Sequence, residues 1–480
     1  RRQRQMCIRD RSATPPLSPS RLQRAGTELL ALWRLAWPIL IGQLANVGMS
    51  VVDVAMAGHA SAHDLAGISL GVSIWNITII TLMGLMMSVA PLVAHHVGAR
   101  EFDKVPHLVR QGLWKALGVG LCAMLLVQLA ARVFDHMDIE PHVHEVATGF
   151  VHIISFGLPA FACYRVLYGY SASLNQTKPI MVMSLAALAL NVLVNWLLVF
   201  GVGPFPRLGG LGCAWATLLC VWLNFLGLLV WMRFSPAYRS TWPFGEWEWP
   251  HPEKLRALWK LGFPIGVTYF AETSAFGLIA LLIAKFGSRE VAAHQIALNF
   301  TSLVFMAPLS LGIALLTRVG QSLGAGDPVA ARFRAWVGVN AGLGFGMVSA
   351  LVMALGAHQI AGAYTNDPLV ADLAAKLLFL AAVFQLSDSA QVVTSSAIRG
   401  YKVTRSPMVI HLTAFWLVSL PLGCVLGLAP AWLPWGPAPA MAAQGFWIAL
   451  VVGLTVAAVG LVLLLRKVAR NHLPTQGLGA

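Results

Sequence analysis

The sequence predicts an all-α integral membrane protein of about twelve transmembrane helices, six in each half of a duplicated chain. Three observations carry this. The 480 residues are 58% hydrophobic and only 11% charged, with a mean hydropathy of +0.72, whereas a soluble domain is charged at about 25% of its positions. Apolar runs long enough to span a bilayer, roughly 20 residues each, recur along the chain. Finally, residues 258–327 lie over residues 32–101 without a gap at the shift that carries Pro38 onto Pro264. LWRLAWP then meets LWKLGFP, Asp64 meets Glu290, Val93 meets Val319, Gly98 meets Gly324 and Glu101 meets Asp327.

The spans read at about 29–57, 65–94, 108–134, 146–170, 180–202, 209–232, 256–285, 291–317, 334–363, 370–398, 407–430 and 440–465. Several exceed the minimum, so tilt or kinks are expected. The first half covers 29–232 and the second 256–468, with a linker at 233–255 and a tail at 469–480. Residues 1–28 carry Pro15, Pro16 and Pro19 and no apolar run of signal-peptide length. They are expected to be disordered or artefactual, since RRQRQMCIRDR resembles translated adapter sequence. The linker, rich in Pro, Trp and charge, is expected to anchor at the interface through its aromatic residues.

A net charge of +14 suggests nucleic acid only if the basic residues form one patch. Instead they fall in alternate loops: Arg100, Lys104 and Arg110; Lys178; Arg233, Arg239, Lys254, Arg256 and Lys260; Arg318, Arg332 and Arg334; Arg399, Lys402 and Arg405; then Arg466, Lys467 and Arg470. The opposite loops are sparse or acidic, with Asp135, Asp138, Glu140 and Glu145 in one and Asp367 and Asp372 in another. The positive-inside rule then puts both termini and the linker in the cytoplasm. No nucleic-acid partner is expected.

The six cysteines have no CxxC or Cys/His spacing and read as small apolar residues. His95 and His96 are adjacent and point to different faces, so they do not form a metal pair. No GxxxxGK[ST] and no GxSxG occurs, which leaves ATP hydrolysis and serine chemistry without sequence support.

What remains are polar residues inside apolar spans. A carboxylate there costs a few kcal/mol and faces a bundle interior or a wet cavity. Asp53, in GMSVVDVAMAG, is one; its competing reading is a solvated or fold-holding interfacial acid. Asn191 and Asn195 lie four apart and share a helical face, suited either to bonding a carboxylate or to joining two helices. Glu272 sits near the middle of the seventh span with Thr268 before it and Phe276 after it, and aligns with Asn46 of the first half. Gln295 and Asn299 are again four apart. Asp388 lies in the tenth span with Phe384 before it and Gln391 and Ser395 after it. Two acids in one half suit a cation or a shared proton. A structural salt bridge competes, but Lys285 and Lys376 lie near span ends.

VVDVAMAG, LNVLVNW, AAHQIALNF, TRVGQSLGAGD and DSAQVV followed by IRGYK together resemble the multidrug and toxic compound extrusion (MATE) family, in its NorM-like branch, over about residues 29–468. The resemblance implies the MATE fold, two pseudo-symmetric six-helix bundles around a cavity that opens alternately to each side. It implies a multidrug efflux antiporter, not an enzyme, that exports cationic or amphipathic compounds in exchange for Na⁺ or H⁺. Glu272, Asp388 and Asp53 are then the cation-coupling acids, the first two also the possible Na⁺ site, and Asp53 with Asn191 and Asn195 forms the polar cluster of the first half. Gln295, Asn299, Phe384 and Gln391 would line the cavity, and Asp367 would lie in an outer loop near the drug path.

Where many NorM-like sequences carry Tyr before the tenth-span acid, this chain has Phe384, whose ring supplies no oxygen ligand; a cation–π contact remains open to it. No cofactor beyond the coupling ion is expected. The expected setting is a bacterial inner membrane, as a monomer, with small-molecule drugs and the bilayer as partners. A lipid-linked sugar flippase of the same architecture would want basic residues in the cavity. A membrane-embedded enzyme would want a nucleophile or metal cluster near an interface.

Overall fold

The computed structural model describes residues 21–136, 140–429 and 440–473. The sequence expectations for Asp138, Cys7 and most of the two terminal segments lie outside those residues. Among the described residues, eleven helices are long and apolar enough to span a membrane: α1 (Arg21–Ala60), α2 (His63–Gly98), α3 (Lys104–His136), α5 (Lys178–Phe200), α6 (Gly210–Phe234), α7 (Pro252–Phe286), α8 (Ser288–Gly324), α9 (Pro328–Tyr364), α10 (Pro368–Gly400), α11 (Arg405–Leu428) and α12 (Ala442–Asn471). The fourth span, α4, is the pair Pro141–Ser155 and Leu158–Ser173, bent by 46°. Its second piece starts with Pro159 near the helix N-terminus, where the missing N–H costs nothing. The chain is a multi-pass membrane protein, and every span expected from the sequence has its helix.

The helices overrun their apolar cores, so several basic residues read as loop residues belong to helix ends. Arg110 is buried within α3, and Arg399 is buried in the last turn of α10. Residues 21–28 are likewise helical rather than disordered. Glu28 receives Arg318 Nε at 2.8 Å and stands 3.4 Å from Arg334 Nε, which fixes the start of α1 against α8 and α9.

The same contacts gather the basic ends on one side of the molecule. Arg466 lies over Trp336, Tyr401 meets the His472 ring, and the linker is fastened to α3 rather than hanging free. Gln111 donates to the Trp249 carbonyl (2.9 Å), Trp114 donates to the Glu248 carbonyl (2.9 Å), and Trp114 stacks on Trp249. The Glu248 carboxylate accepts from Arg110 (3.0 Å) and Lys254 (2.9 Å) and meets His107 Nδ1 at 2.8 Å. Burial alone would raise this carboxyl; the donors Lys254, His107 and Arg110 outweigh it and hold it at about 2.

The two halves touch where α2 crosses α7 and α8, and where α1 crosses α8. At the basic end the ends of α2 and α8 cross with backbone against backbone. An ideal Cβ on Gly98 would overlap the Gln321 carbonyl, and one on Gly324 would overlap the His95 carbonyl. The pairs are repeat-related, since His95 aligns with Gln321 and Gly98 with Gly324. The two side chains then reach across: His95 Nε2 lies 2.9 Å from the Gly400 carbonyl, and Gln321 donates to the Ser173 carbonyl at 2.9 Å. The basic end is thereby closed.

Two outcomes follow. Gly98→Val or Gly324→Val forces the crossing apart, so spin labels on the loops after α2 and α8 should report a longer distance in either variant than in wild type. The Glu248 contribution is fully present above its ordinary value of 4.5 and fades as pH falls toward about 2. Glu248→Gln is therefore expected to cost about 1 kcal/mol at neutral pH, solvent screening the half-exposed partners Lys254 and His107, read as a lowered melting temperature whose deficit shrinks in acid.

Candidate functional site

Polar side chains within the spans assemble into one cluster per half. In the first half, α5 turns Asn191 and Asn195, both fully buried, toward Asp53 of α1. Asn191 Nδ2 donates to Asp53 Oδ1 at 3.0 Å and Asn195 Nδ2 to the same oxygen at 2.6 Å. Asn195 also donates to Asn191 Oδ1 at 3.2 Å. Thr217 of α6 donates its hydroxyl to Asp53 Oδ2 at 2.9 Å. Three donors from two helices meet one carboxylate, the arrangement that lets an acid stay inside an apolar bundle. The spacing of the asparagines pointed to this face; the single Thr of an apolar sixth span was the overlooked sign of the third donor.

In the second half, Asp388 is 3% exposed on α10 and Glu272, half-buried on α7, lies near enough for the two carboxyls to act on each other. Asp388 Oδ1 is 3.2 Å from Gln391 Nε2. Among the described residues, Glu272 accepts no hydrogen bond, and neither acid has a cation within ion-pair distance. Arg399 acts on Glu272 only electrostatically; its guanidinium lies over the Tyr269 ring and reaches Tyr269 Oη at 3.3 Å. The salt-bridge alternative therefore lacks its partner. Trp416 of α11 donates to the Ala271 carbonyl at 3.1 Å, which holds the turn of α7 that presents Glu272.

Of the remaining expected site residues, Gln391 bonds Asp388, while the others have partners of their own. Phe384 is a core residue, 4% exposed, with its edge on Trp447 and Phe276; aromatic packing, not an open cavity wall, accounts for its position. Trp447 in turn donates to His294 Nδ1 at 3.1 Å. Gln295 and Asn299 are exposed on α8, and Asn299 Oδ1 accepts from Tyr364 at 3.3 Å. Asp367 caps α10, accepting from the Leu369 N–H at 2.9 Å, a local use that any helix start makes of Asp. Gln391, 1% exposed, reaches beyond Asp388 to His411 of α11, at 2.8 Å. His411 was missed; a lone histidine in MVIHLTAF was its signal.

The Asp53 cluster makes a measurable claim. A double-mutant cycle of Asp53→Asn with Thr217→Val should give a coupling of about 1–2 kcal/mol in thermal melting of the detergent-solubilised protein. Additive effects would mean the hydroxyl does not serve the carboxylate.

The family model MatE matches residues 38–197 and again 264–425, its two copies starting at the repeat-related prolines. The chain is 43% identical over 463 residues to multidrug resistance protein PmpM of Pseudomonas aeruginosa, covering 96% of each chain. It is 42% identical to the probable multidrug resistance protein NorM of Chromobacterium violaceum over 92% of this chain and 94% of that one. Among solved structures it superposes with a TM-score of 0.83 on the outward-facing conformation of a multidrug resistance MATE family transporter of the MOP superfamily, at 18% identity over 93% of this chain and 96% of that one. The eukaryotic MATE transporter AtDTX14 follows the same fold with a TM-score of 0.82, at 21% identity over 93% and 98%.

Proposed function

Because this chain belongs to the MatE family, we propose that it is a multidrug efflux antiporter, a transporter rather than an enzyme. It exports cationic or amphipathic organic compounds and takes up Na⁺ or H⁺ in exchange, by alternating access. The observation that carries this reading is the pair Glu272 and Asp388, two carboxyls of one apolar bundle close enough to act on each other, with no cation paired to either among the described residues. Such a pair is satisfied by a proton, a metal cation or a cationic substrate. One site with three possible occupants is what exchange requires, since each occupant biases the others by its differential affinity.

The basic ends are taken as cytoplasmic on the positive-inside rule. The backbone crossing at Gly98 and Gly324 then seals the cytoplasmic side, which fits an outward-facing state. In that state a cation from outside neutralises the acids and releases the drug; reopening of the crossing exposes the cation to the cytoplasm. The protein is proposed to act as a monomer in a bacterial inner membrane, with both termini inside. Phe384, buried against Trp447, brings no oxygen to the acids, which supports H⁺ over Na⁺.

Ethidium efflux from proteoliposomes under an imposed pH gradient, and separately under an imposed Na⁺ gradient, tests the reading. One of the two gradients should drive efflux by wild-type protein. The Glu272→Gln, Asp388→Asn double variant should remain folded and lose gradient-driven efflux at least tenfold; undiminished efflux by the double variant would refute the assignment.

A further inference from the structure

His411 is unused by the transport reading above. It lies 2% exposed in α11, where the helix widens into a π-helical turn at Thr413–Ser419, and its ring stacks on Phe415. Nδ1 is 2.8 Å from the Pro407 carbonyl, an atom that only accepts, so Nδ1 carries a proton. A neutral ring has no second N–H, which leaves Nε2 as an acceptor. That nitrogen is 2.8 Å from the side-chain amide of Gln391, whose other end is 3.2 Å from Asp388 Oδ1.

A half-turn of the amide exchanges its oxygen and nitrogen without changing its shape. With the amide nitrogen on Asp388, both ring nitrogens face oxygens and His411 must be an imidazolium. An imidazolium would place a full charge in a ring only 2% exposed, within reach of the cation Arg399 of α10, and α12 brings no titratable group over residues 442–465. With the amide reversed, a neutral His411 accepts from the Gln391 NH₂, and the Gln391 oxygen faces the Asp388 carboxyl. Two oxygens so opposed are reconciled by a proton on the carboxyl or by a cation between them.

We propose that His411 is a positioning residue of the second-half cation site: by engaging the NH₂ of Gln391 it turns the amide oxygen onto Asp388 and so creates the place where the coupling cation sits. The inference rests on the antiporter reading and adds to it the residue that sets cation affinity. Without the ring, the amide is free to turn its NH₂ onto the carboxylate and compete with the cation.

The test is ethidium efflux from proteoliposomes, read as the concentration of H⁺ or Na⁺, whichever drives efflux, that gives half the maximal rate. His411→Phe should raise that requirement about tenfold, equal to one pH unit for a proton, while the maximal rate and the ethidium KM at saturating cation stay near wild type. His411→Gln, whose amide sits in either sense, should move the same way by a smaller factor and serves if the Phe variant does not fold. On a Gln391→Met background, where no amide remains to be turned, His411→Phe should have no further effect. An unchanged cation requirement in both His411 variants, or an equal shift with and without the Gln391 amide, overturns the proposal. Wild-type protein that exports no ethidium under either gradient overturns the transport reading itself, and the inference with it.

Discussion

A carboxylate within a bilayer-spanning helix must find donors, a cation or a proton, because lipid offers none of these. The protein answers this constraint differently in its two halves. Asp53 is supplied from within the fold by Asn191, Asn195 and Thr217, so its needs are met by neighbouring helices. Glu272 and Asp388 have no such set of donors, Gln391 alone lying within hydrogen-bond distance, beside Asp388, and their remaining need is met from outside. The first cluster is satisfied by its own neighbours, while the second leaves carboxyls whose demand the proposed cation or drug would fill.

The halves are joined by the opposite kind of contact. At the basic end, closure relies on the absence of side chains at Gly98 and Gly324, which lets α2 and α8 cross with their backbones touching and His95 and Gln321 reach the far half. Repeat-related residues make both sides of this crossing, so the seam is pseudo-symmetric where the acids are not. A rocking motion needs a seam that opens and recloses as a unit, and a few hydrogen bonds over a glycine crossing suit that better than a large interlocked interface. The linker, fastened to α3 through Glu248, ties the two halves on the same face.

Much of this architecture was legible in the sequence. Apolar runs gave the helices, and the gapless overlay of 258–327 on 32–101 gave the repeat, because span length and duplication leave one-dimensional traces. The i, i+4 spacing of Asn191 and Asn195 gave one face of the Asp53 cluster for the same reason. Other features were not legible because they depend on which helices lie side by side. Thr217, His411 and the buried position of Arg399 are single polar residues whose partners are distant in sequence. The resemblance implied a cavity position for Phe384, but packing against Trp447 of α12 decides where its ring goes. Helix ends were also misread: Arg110 and residues 21–28 looked like loop or tail because hydropathy marks the lipid-facing length of a helix, not the turns that continue beyond it.

On the proposed mechanism, drug and coupling cation compete for the acids of the second half. The most direct measurement of that competition is cation displacement on ethidium binding by purified protein in detergent, followed as proton release in weak buffer and as loss of bound radioactive sodium. The account predicts that ethidium binding expels at least one cation from wild-type protein and none from the Asp388→Asn variant. Saturable ethidium binding that expels no cation from wild type, or expels as many from the variant, would contradict it.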